Sequence, residues 1–334
     1  MADKTVVVGA TTWGTTLALV LAAEGRPVTL LARDPAESER LESARENSRF
    51  LPGIPFPPLL RVSADAPEAL DGATLAVIAV PSDRLRENVR RISGHLGAGT
   101  VVVSACKGLE LPSAMRMSET LAEELPPKLH PGICALSGPN LAKEIVQGKP
   151  SSTVVAGVVQ EAVEYAQAAL LSSRFRVYTS SDVTGVELGG ALKNIVALGA
   201  GICDGLEFGE NAKAAFVTRG LAEIARLGVA AGAEPLTFAG LAGVGDVIAT
   251  CASRLSRNRY VGEQLAQGRS WPEIRASMDN VAEGVNATEA ALKMAARLNV
   301  EMPIAQTTYR VLHEGLSPRE AAAELMERPV GSEW

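Results

Sequence analysis

The chain has 334 residues, enough for two domains, and its 47 % apolar and 21 % charged content is that of a globular protein with a sizeable core. Its formal net charge of −6 argues against general nucleic-acid or anionic-membrane binding, which needs a basic face, but leaves room for a small anionic ligand held by local cations. Cys106, Cys134, Cys203 and Cys251 form no C-x-x-C pair, so the expectation is no metal, no disulfide framework, and free thiols in a reducing cytoplasm.

Residues 6–23 carry no charge, which at first resembles a membrane span. Gly9, Thr11, Thr12, Gly14, Thr15 and Thr16 interrupt the run and only Lys4 precedes it, so a buried strand, a turn and a buried helix explain it better. The turn reads Gly9-x-Thr11-x-x-Gly14, a dinucleotide fingerprint with its middle glycine replaced. Gly9 suits the tight turn and Gly14 a close helix–strand approach, while the helix N-terminus offers N–H groups to a pyrophosphate. Thr11 adds a Cβ there, so either the phosphate sits slightly farther away or the Thr11 hydroxyl donates to it.

The next strand, PVTLLA, ends in Arg33-Asp34-Pro35. Asp34 and Pro35 have the N-cap and N1 pattern of a helix, which leaves Arg33 for the 2′-phosphate of NADP, although NAD stays open. Helical spacing is predicted over Pro35 to Arg49 and over Ser82 to His95, with a proline-rich loop over Asn47 to Pro58. LLRVS, TLAVIAV, GTVVVSA, GICALSG, SSTVVAG and FRVYTS complete eight strand candidates, and their alternation with helices predicts a mainly parallel sheet covered on both faces. From Val183 onward the pattern is helical, with Asp182 placed to cap the first long helix, so the expected domains are residues 1–181 and 182–334.

Four stretches could carry chemistry. SACKGLE places Lys107 at the C-terminal end of a strand, the ligand edge of such a sheet. ALSGPNLAKE is a strand-to-helix turn sharpened by Gly138-Pro139, although turn chemistry alone could explain it. In VELGGALKNIVALGAG, spacing puts Gly189, Gly190, Lys193 and Ala197 on one face. Two helix-interior glycines cost roughly 1 kcal/mol each, so something must need small residues there: a cofactor or substrate beside a buried lysine of lowered pKa, or plain helix packing with Lys193 reaching outward. In AGVGDVIATCASRLSRNRYVG, a buried Asp246 would need a cationic or N–H partner, and Arg257 with Asn258 could fork a phosphate. His95, His130 and His313 are the only histidines and no Tyr-x-x-x-Lys occurs, which leaves lysine as the candidate for proton transfer.

Taken together, GATTWGTTLA, AVPS, SACKGLE, SGPNLAKE, ELGGALKNIVALGAGICDGL, GENAKAAFVTRGLAEI, LAGVGDVIATCASRLSRNRYVG and VAEGV make the chain resemble the bacterial-type NAD(P)-dependent glycerol-3-phosphate dehydrogenases. The resemblance runs in order from about residue 5 to 315. It implies a Rossmann domain followed by an all-helical domain like that of 6-phosphogluconate dehydrogenase. It also implies reversible hydride transfer between NAD(P)H and dihydroxyacetone phosphate, giving sn-glycerol 3-phosphate for lipid synthesis. By resemblance the proton-transfer lysine is Lys193, with Lys107 beside cofactor and substrate and Asp246 holding Lys193. Substrate contacts fall on Lys107, Gly138, Asn140, Lys193, Asp246, Ser256, Arg257 and Asn258. Cofactor contacts fall on Thr12, Trp13, Arg33, Lys107, Ala142, Arg257, Val281 and Glu283, beside the turn residues Gly9, Thr11 and Gly14. The chain departs from the family pattern at Thr11 (usually Gly), Asn140 (Ser or Thr) and Leu141 (Phe). A homodimer is implied by resemblance only. Thr11 also motivates an alternative, a non-catalytic NADP sensor that kept the fold; the retained Lys193, Lys107 and Asp246 speak against it. A related reductase for another oxoacid or acyl thioester is the third reading, and the Arg257–Asn258 pair favours a small phosphorylated substrate instead.

Overall fold

The structure, a computed structural model, describes residues 3–278 and 282–329. All eight predicted strands form: β1 (Thr5–Val8), β2 (Val28–Leu31), β3 (Leu60–Ser63), β4 (Leu75–Ile78), β5 (Val101–Ser104), β6 (Ile133–Ser137), β7 (Ser151–Gly157) and β8 (Phe175–Ser180). They make one sheet in the order β3-β2-β1-β4-β5-β6-β7-β8. Every pairing is parallel except β6 with β7. β1, β2, β4 and β5 are buried at every position, as expected of β-branched runs covered on both faces.

Helices α1 (Thr12–Ala23), α2 (Pro35–Ala44), α3 (Ala66–Leu70), α4 (Leu85–Ile92), α5 (Met117–Glu124), α6 (Ala142–Val146) and α7 (Gln160–Leu170) flank this sheet. α2 stops five residues short of the expected Arg49. Its C-cap, Arg45, takes φ 50°, and the Arg45 guanidinium donates to the carbonyls of Pro57 and Leu60. Asn47 then turns inward, where its Nδ2 donates to Ala10 O and Thr15 Oγ1. The proline-rich loop is thereby pinned to the Gly9 turn. The predicted helix over Ser82 to His95 is α4 with a tight turn at each end.

The remaining elements are α8 (Val183–Gly205), α9 (Gly209–Ala230), a π-type turn over Leu241–Gly245, α10 (Asp246–Ala252), α11 (Arg257–Ala266), α12 (Trp271–Ala276), α13 (Glu283–Leu298), α14 (Pro303–His313) and α15 (Pro318–Met326). No strand occurs among the described residues after Ser180. α8 is long and apolar enough to cross a membrane, yet it is buried inside the fold from Gly185 to Cys203. Its N-cap is Asp182, whose carboxylate accepts from Gly185 N (2.8 Å), Glu234 N (2.9 Å) and Thr237 Oγ1 (2.6 Å).

α8 and α11 touch backbone to backbone. A Cβ on Gly201 would lie 2.0 Å from Arg259 O, and one on Gly262 would lie 1.9 Å from Leu198 O. No rotamer change relieves a clash with main chain. Gly262→Ala is expected to cost about 3 kcal/mol, the upper range for overpacking. Urea denaturation checks this: the midpoint falls and the slope stays the same.

Candidate active site

The sheet's register sets the edge. Val8 aligns with Leu31 and Ile78, Ile78 with Ser104, and Ser104 with Ala135. The turns after β1, β2, β4, β5 and β6 therefore emerge together, in the crevice where open α/β sheets bind ligands. After β1, Gly9 takes φ +107°, and a Cβ on Gly14 would lie 2.0 Å from Gly9 O. Both glycines are thus required by the turn itself. α1 begins behind them. The N–H groups of Thr12 and Trp13 have no acceptor among the described residues, and the indole Nε1 of Trp13 is buried without a partner. Unpaired donors at a helix start in a βαβ unit fit a dinucleotide's pyrophosphate.

Thr11 is not one of those donors. Its hydroxyl donates to Ala79 O (2.7 Å) and accepts from Gly14 N (3.0 Å), so it caps α1 and ties β1's turn to β4's. This corrects the expectation that the hydroxyl could serve a phosphate. After β2, Asp34 caps α2 by accepting from Glu37 N at 2.8 Å. Arg33 is exposed, and its guanidinium lies on Asp34 (2.9 Å) and Glu37 (3.4 Å). Ala142 opens α6, which packs on α1. Glu283 opens α13 and accepts from Ser82 N (3.1 Å) and Ser82 Oγ (2.5 Å), where burial raises its pKa. Gly108 lies against this pair, since a Cβ there would be 3.1 Å from Glu283 Oε2. Val281 lies outside the described residues.

The turn after β5 brings Lys107 to a three-residue cluster. Lys107 Nζ donates to Asp246 Oδ2 (2.6 Å) and to Gly138 O (2.6 Å). Lys193 Nζ donates to Asp246 Oδ1 and to Thr250 Oγ1 (2.8 Å). Asp246 is 1 % exposed and Lys193 7 %. Each ammonium has three protons and spends two on these partners, which leaves each one donor for a ligand. Burial, opposed by Asp246 and aided by Lys107, pulls the Lys193 pKa down to about 8.

The glycines on α8 serve this cluster through close packing, one of the two roles left open to them. A Cβ on Gly189 would lie 2.3 Å from Ala242 O, and one on Gly190 would lie 2.2 Å from Ser137 Oγ. They let the π-type turn and β6 approach α8. The turn kinks at Gly243 (φ −101°, ψ −106°), and α10 then starts at Asp246. Close approach at Gly189 is what delivers Asp246 to Lys193, one helical turn along. So the close approach of this turn and of β6 explains the glycines, while Lys193 is buried and does not reach outward.

Two residues expected to contact substrate also bond within the protein. Asn140 Oδ1 accepts from Thr153 Oγ1 (3.0 Å), and its Nδ2 faces Ser151 Oγ and Ser152 O (3.4 and 3.3 Å), which staples the Gly138-Pro139 turn to β7. Asn258 is buried, donates from Nδ2 to Asn194 Oδ1 (2.8 Å) and accepts from Gly284 N (3.0 Å). Asn258 thereby spends one of its two Nδ2 protons within the protein, and the other is left for the expected fork with Arg257. Arg257 opens α11 and has no ion pair among the described residues; desolvation lowers its pKa and the charge of Glu283 opposes that, while Ser256 caps α11 through Arg259 N (3.2 Å). Sequence reasoning missed Thr250, Asn194 and Ser82. Thr250 was findable: it stands four residues after Asp246, on the same helix face.

Residues 4–163 match the N-terminal domain described as NAD-dependent glycerol-3-phosphate dehydrogenase N-terminus, and residues 182–323 match the corresponding C-terminus. The chain belongs to the NAD-dependent glycerol-3-phosphate dehydrogenase family. A glycerol-3-phosphate dehydrogenase [NAD(P)+] of Dehalococcoides mccartyi is 49 % identical, covering 99 % of this chain and 92 % of the relative. One from Anaeromyxobacter dehalogenans is 48 % identical, covering 99 % of both. The crystal structure of glycerol-3-phosphate dehydrogenase from Coxiella burnetii superimposes with a TM-score of 0.92 at 36 % identity, covering 98 % of this chain and 99 % of that one. Membership makes the chain an NAD(P)-dependent oxidoreductase with a small-molecule substrate.

Asp246 is the only carboxylate bonded to either ammonium among the described residues. Asp246→Asn leaves two cations facing each other, Lys193 buried and Lys107 half-buried. It is expected to destabilise the fold by about 3–5 kcal/mol, the range for breaking a buried pair. Chemical denaturation near neutral pH checks this, and a wild-type midpoint would mean the carboxylate is not paired in solution.

Proposed function

We propose that the chain reduces dihydroxyacetone phosphate to sn-glycerol 3-phosphate, reversibly, with Lys193 in proton transfer. The observation that carries this reading is the Lys193–Asp246–Lys107 cluster at the ligand edge of the sheet. NAD(P)H, when bound, supplies the hydride. The residues for holding it are the Gly9–Thr11–Gly14 turn with Thr12 and Trp13, then Arg33, Lys107, Ala142, Arg257 and Glu283.

A ketone that receives hydride on carbon develops negative charge on oxygen. The spare N–H of Lys193 meets that charge and then gives it a proton, and the spare N–H of Lys107 adds a second cation. Asp246 aims both ammonium groups and keeps two like charges close together. Arg257 is the cation for the substrate phosphate, and Gly138 contributes through its carbonyl hold on Lys107. Ser256, Asn258 and Asn140 act as positioning residues behind these contacts. The product suits glycerophospholipid synthesis. A cytoplasmic setting is supported by four unpaired cysteines, three of them buried. A homodimer is supported by the groove between the α9 region and α14 and α15, where Phe208, Ala212 and Ala215 are exposed.

NADPH oxidation with dihydroxyacetone phosphate is the direct test. Lys193→Ala is expected to lower kcat by about 10²–10⁴ with NADPH binding retained, the usual contribution of a positioned acid. Wild-type protein that binds NADPH without turning over would instead identify a sensor. The pH profile follows from the Lys193 pKa of about 8. Reduction needs the ammonium, so kcat/KM for reduction falls as pH rises through about 8. Oxidation of glycerol 3-phosphate needs the amine and rises over the same interval. A flat profile from pH 7 to 9 would remove Lys193 from proton transfer.

A further inference from the structure

The turn after β2 holds more charge than Arg33 alone. Arg33 N donates to Glu37 Oε2 (3.0 Å), and the Arg33 guanidinium lies on Asp34 and Glu37. Arg40 reaches the same Glu37 at 3.9 Å. Within this group the two carboxylates cancel the two guanidiniums.

A third guanidinium arrives from another element. Arg91, near the end of α4, donates Nη1 to Arg33 O (2.6 Å) and Nη2 to Ala32 O (3.1 Å). Its Nε is buried without a partner, and no carboxylate pairs with it among the described residues. Main-chain carbonyls therefore hold Arg91 in place, and its charge is not neutralised. Two further consequences follow. The carbonyl oxygens at the end of β2, which would repel an incoming anion, are capped. The backbone that carries Arg33 is stitched on both sides, by Glu37 at its N–H and by Arg91 at its carbonyl.

We infer that Arg91 is the positioning residue that tilts this chain toward a cofactor bearing an adenosine 2′-phosphate: it fixes the Arg33 backbone and leaves the β2 turn with one unbalanced positive charge. A cofactor with a free 2′-hydroxyl gains nothing from that charge. The inference rests on the reading of Arg33 as the 2′-phosphate residue.

The experiment measures kcat and KM for NADPH and for NADH in the wild type and in Arg91→Gln, Arg91→Lys and Arg33→Ala, with melting curves alongside. Wild type is expected to have the lower KM for NADPH. Arg91→Gln should raise the ratio of NADPH KM to NADH KM about fivefold, the scale of one partly screened charge several ångströms away. The change should sit in KM, with little in kcat, and should shrink in high salt. Arg91→Lys keeps the charge but has one nitrogen for two carbonyls, so it should shift the ratio about twofold. Equal changes in both KM values, or none, would overturn the inference and leave Arg91 a structural residue. If Arg91→Gln does not fold, Arg91→Lys decides by the same ratio. Arg33→Ala separates the underlying reading: an unchanged ratio there removes the 2′-phosphate from the β2 turn, whereas a changed ratio with an unaffected Arg91→Gln removes Arg91 alone.

Discussion

A single buried carboxylate, shared between two ammonium groups, organises this molecule. Burying an ion costs several kcal/mol even after relaxation, and two like charges side by side add repulsion. Asp246 offsets both costs by giving one oxygen to Lys193 and the other to Lys107. The two lysines come from different halves of the chain, one from the sheet's edge and one from the middle of α8. Satisfying the carboxylate therefore requires the halves to be docked. It also leaves an excess positive charge where an oxyanion would form.

Other contacts reinforce that docking with the same chemistry. Glu187 on α8 is buried and accepts from Ser118 N (2.7 Å), Ser118 Oγ (2.6 Å) and Arg116 Nη1 (2.8 Å) at the start of α5. Glu283 on α13 grips Ser82 beside the turn of Lys107. Burial raises the pKa of both glutamates, and the donors aimed at them oppose that rise. Behind Lys107, Glu110 pairs with Arg86 of α4, which also pairs with Glu123 and Glu124 of α5. The lysine turn is thus anchored to two helices that cover one face of the sheet.

The legible part of the site was the part with local signals. Gly9 and Gly14 announce a turn because a Cβ at either position meets backbone. Asp34-Pro35 announces a helix start through capping chemistry, and Asp34 does cap α2. Asp246 was readable as an acid in need of a cation, because apolar glycine-rich surroundings cannot solvate it. Thr11, Asn140 and Asn258 were read as ligand contacts, and each also bonds within the protein, Thr11 through its one hydroxyl proton. Each is a small polar side chain whose partner lies on another element: Ala79 O, Thr153 and Asn194. Hydrogen bonds between distant segments leave no periodicity in the chain. Arg45 and Asn47 show the same limit, since the early end of α2 depends on carbonyls of a later loop and on the turn after β1.

By itself the sequence determined the eight strands, the change to helices after Ser180, the family, and which lysines and acids stood at turns or in apolar settings. Alternation, capping patterns and glycine positions are local, so they survive without coordinates. Only the tertiary structure decided which acid meets which base, that Gly189 admits the π-type turn carrying Asp246, and that Arg91 backs the Arg33 turn. Those facts depend on approach between backbones remote in sequence, and the contact distance between two packed elements is written in no single segment.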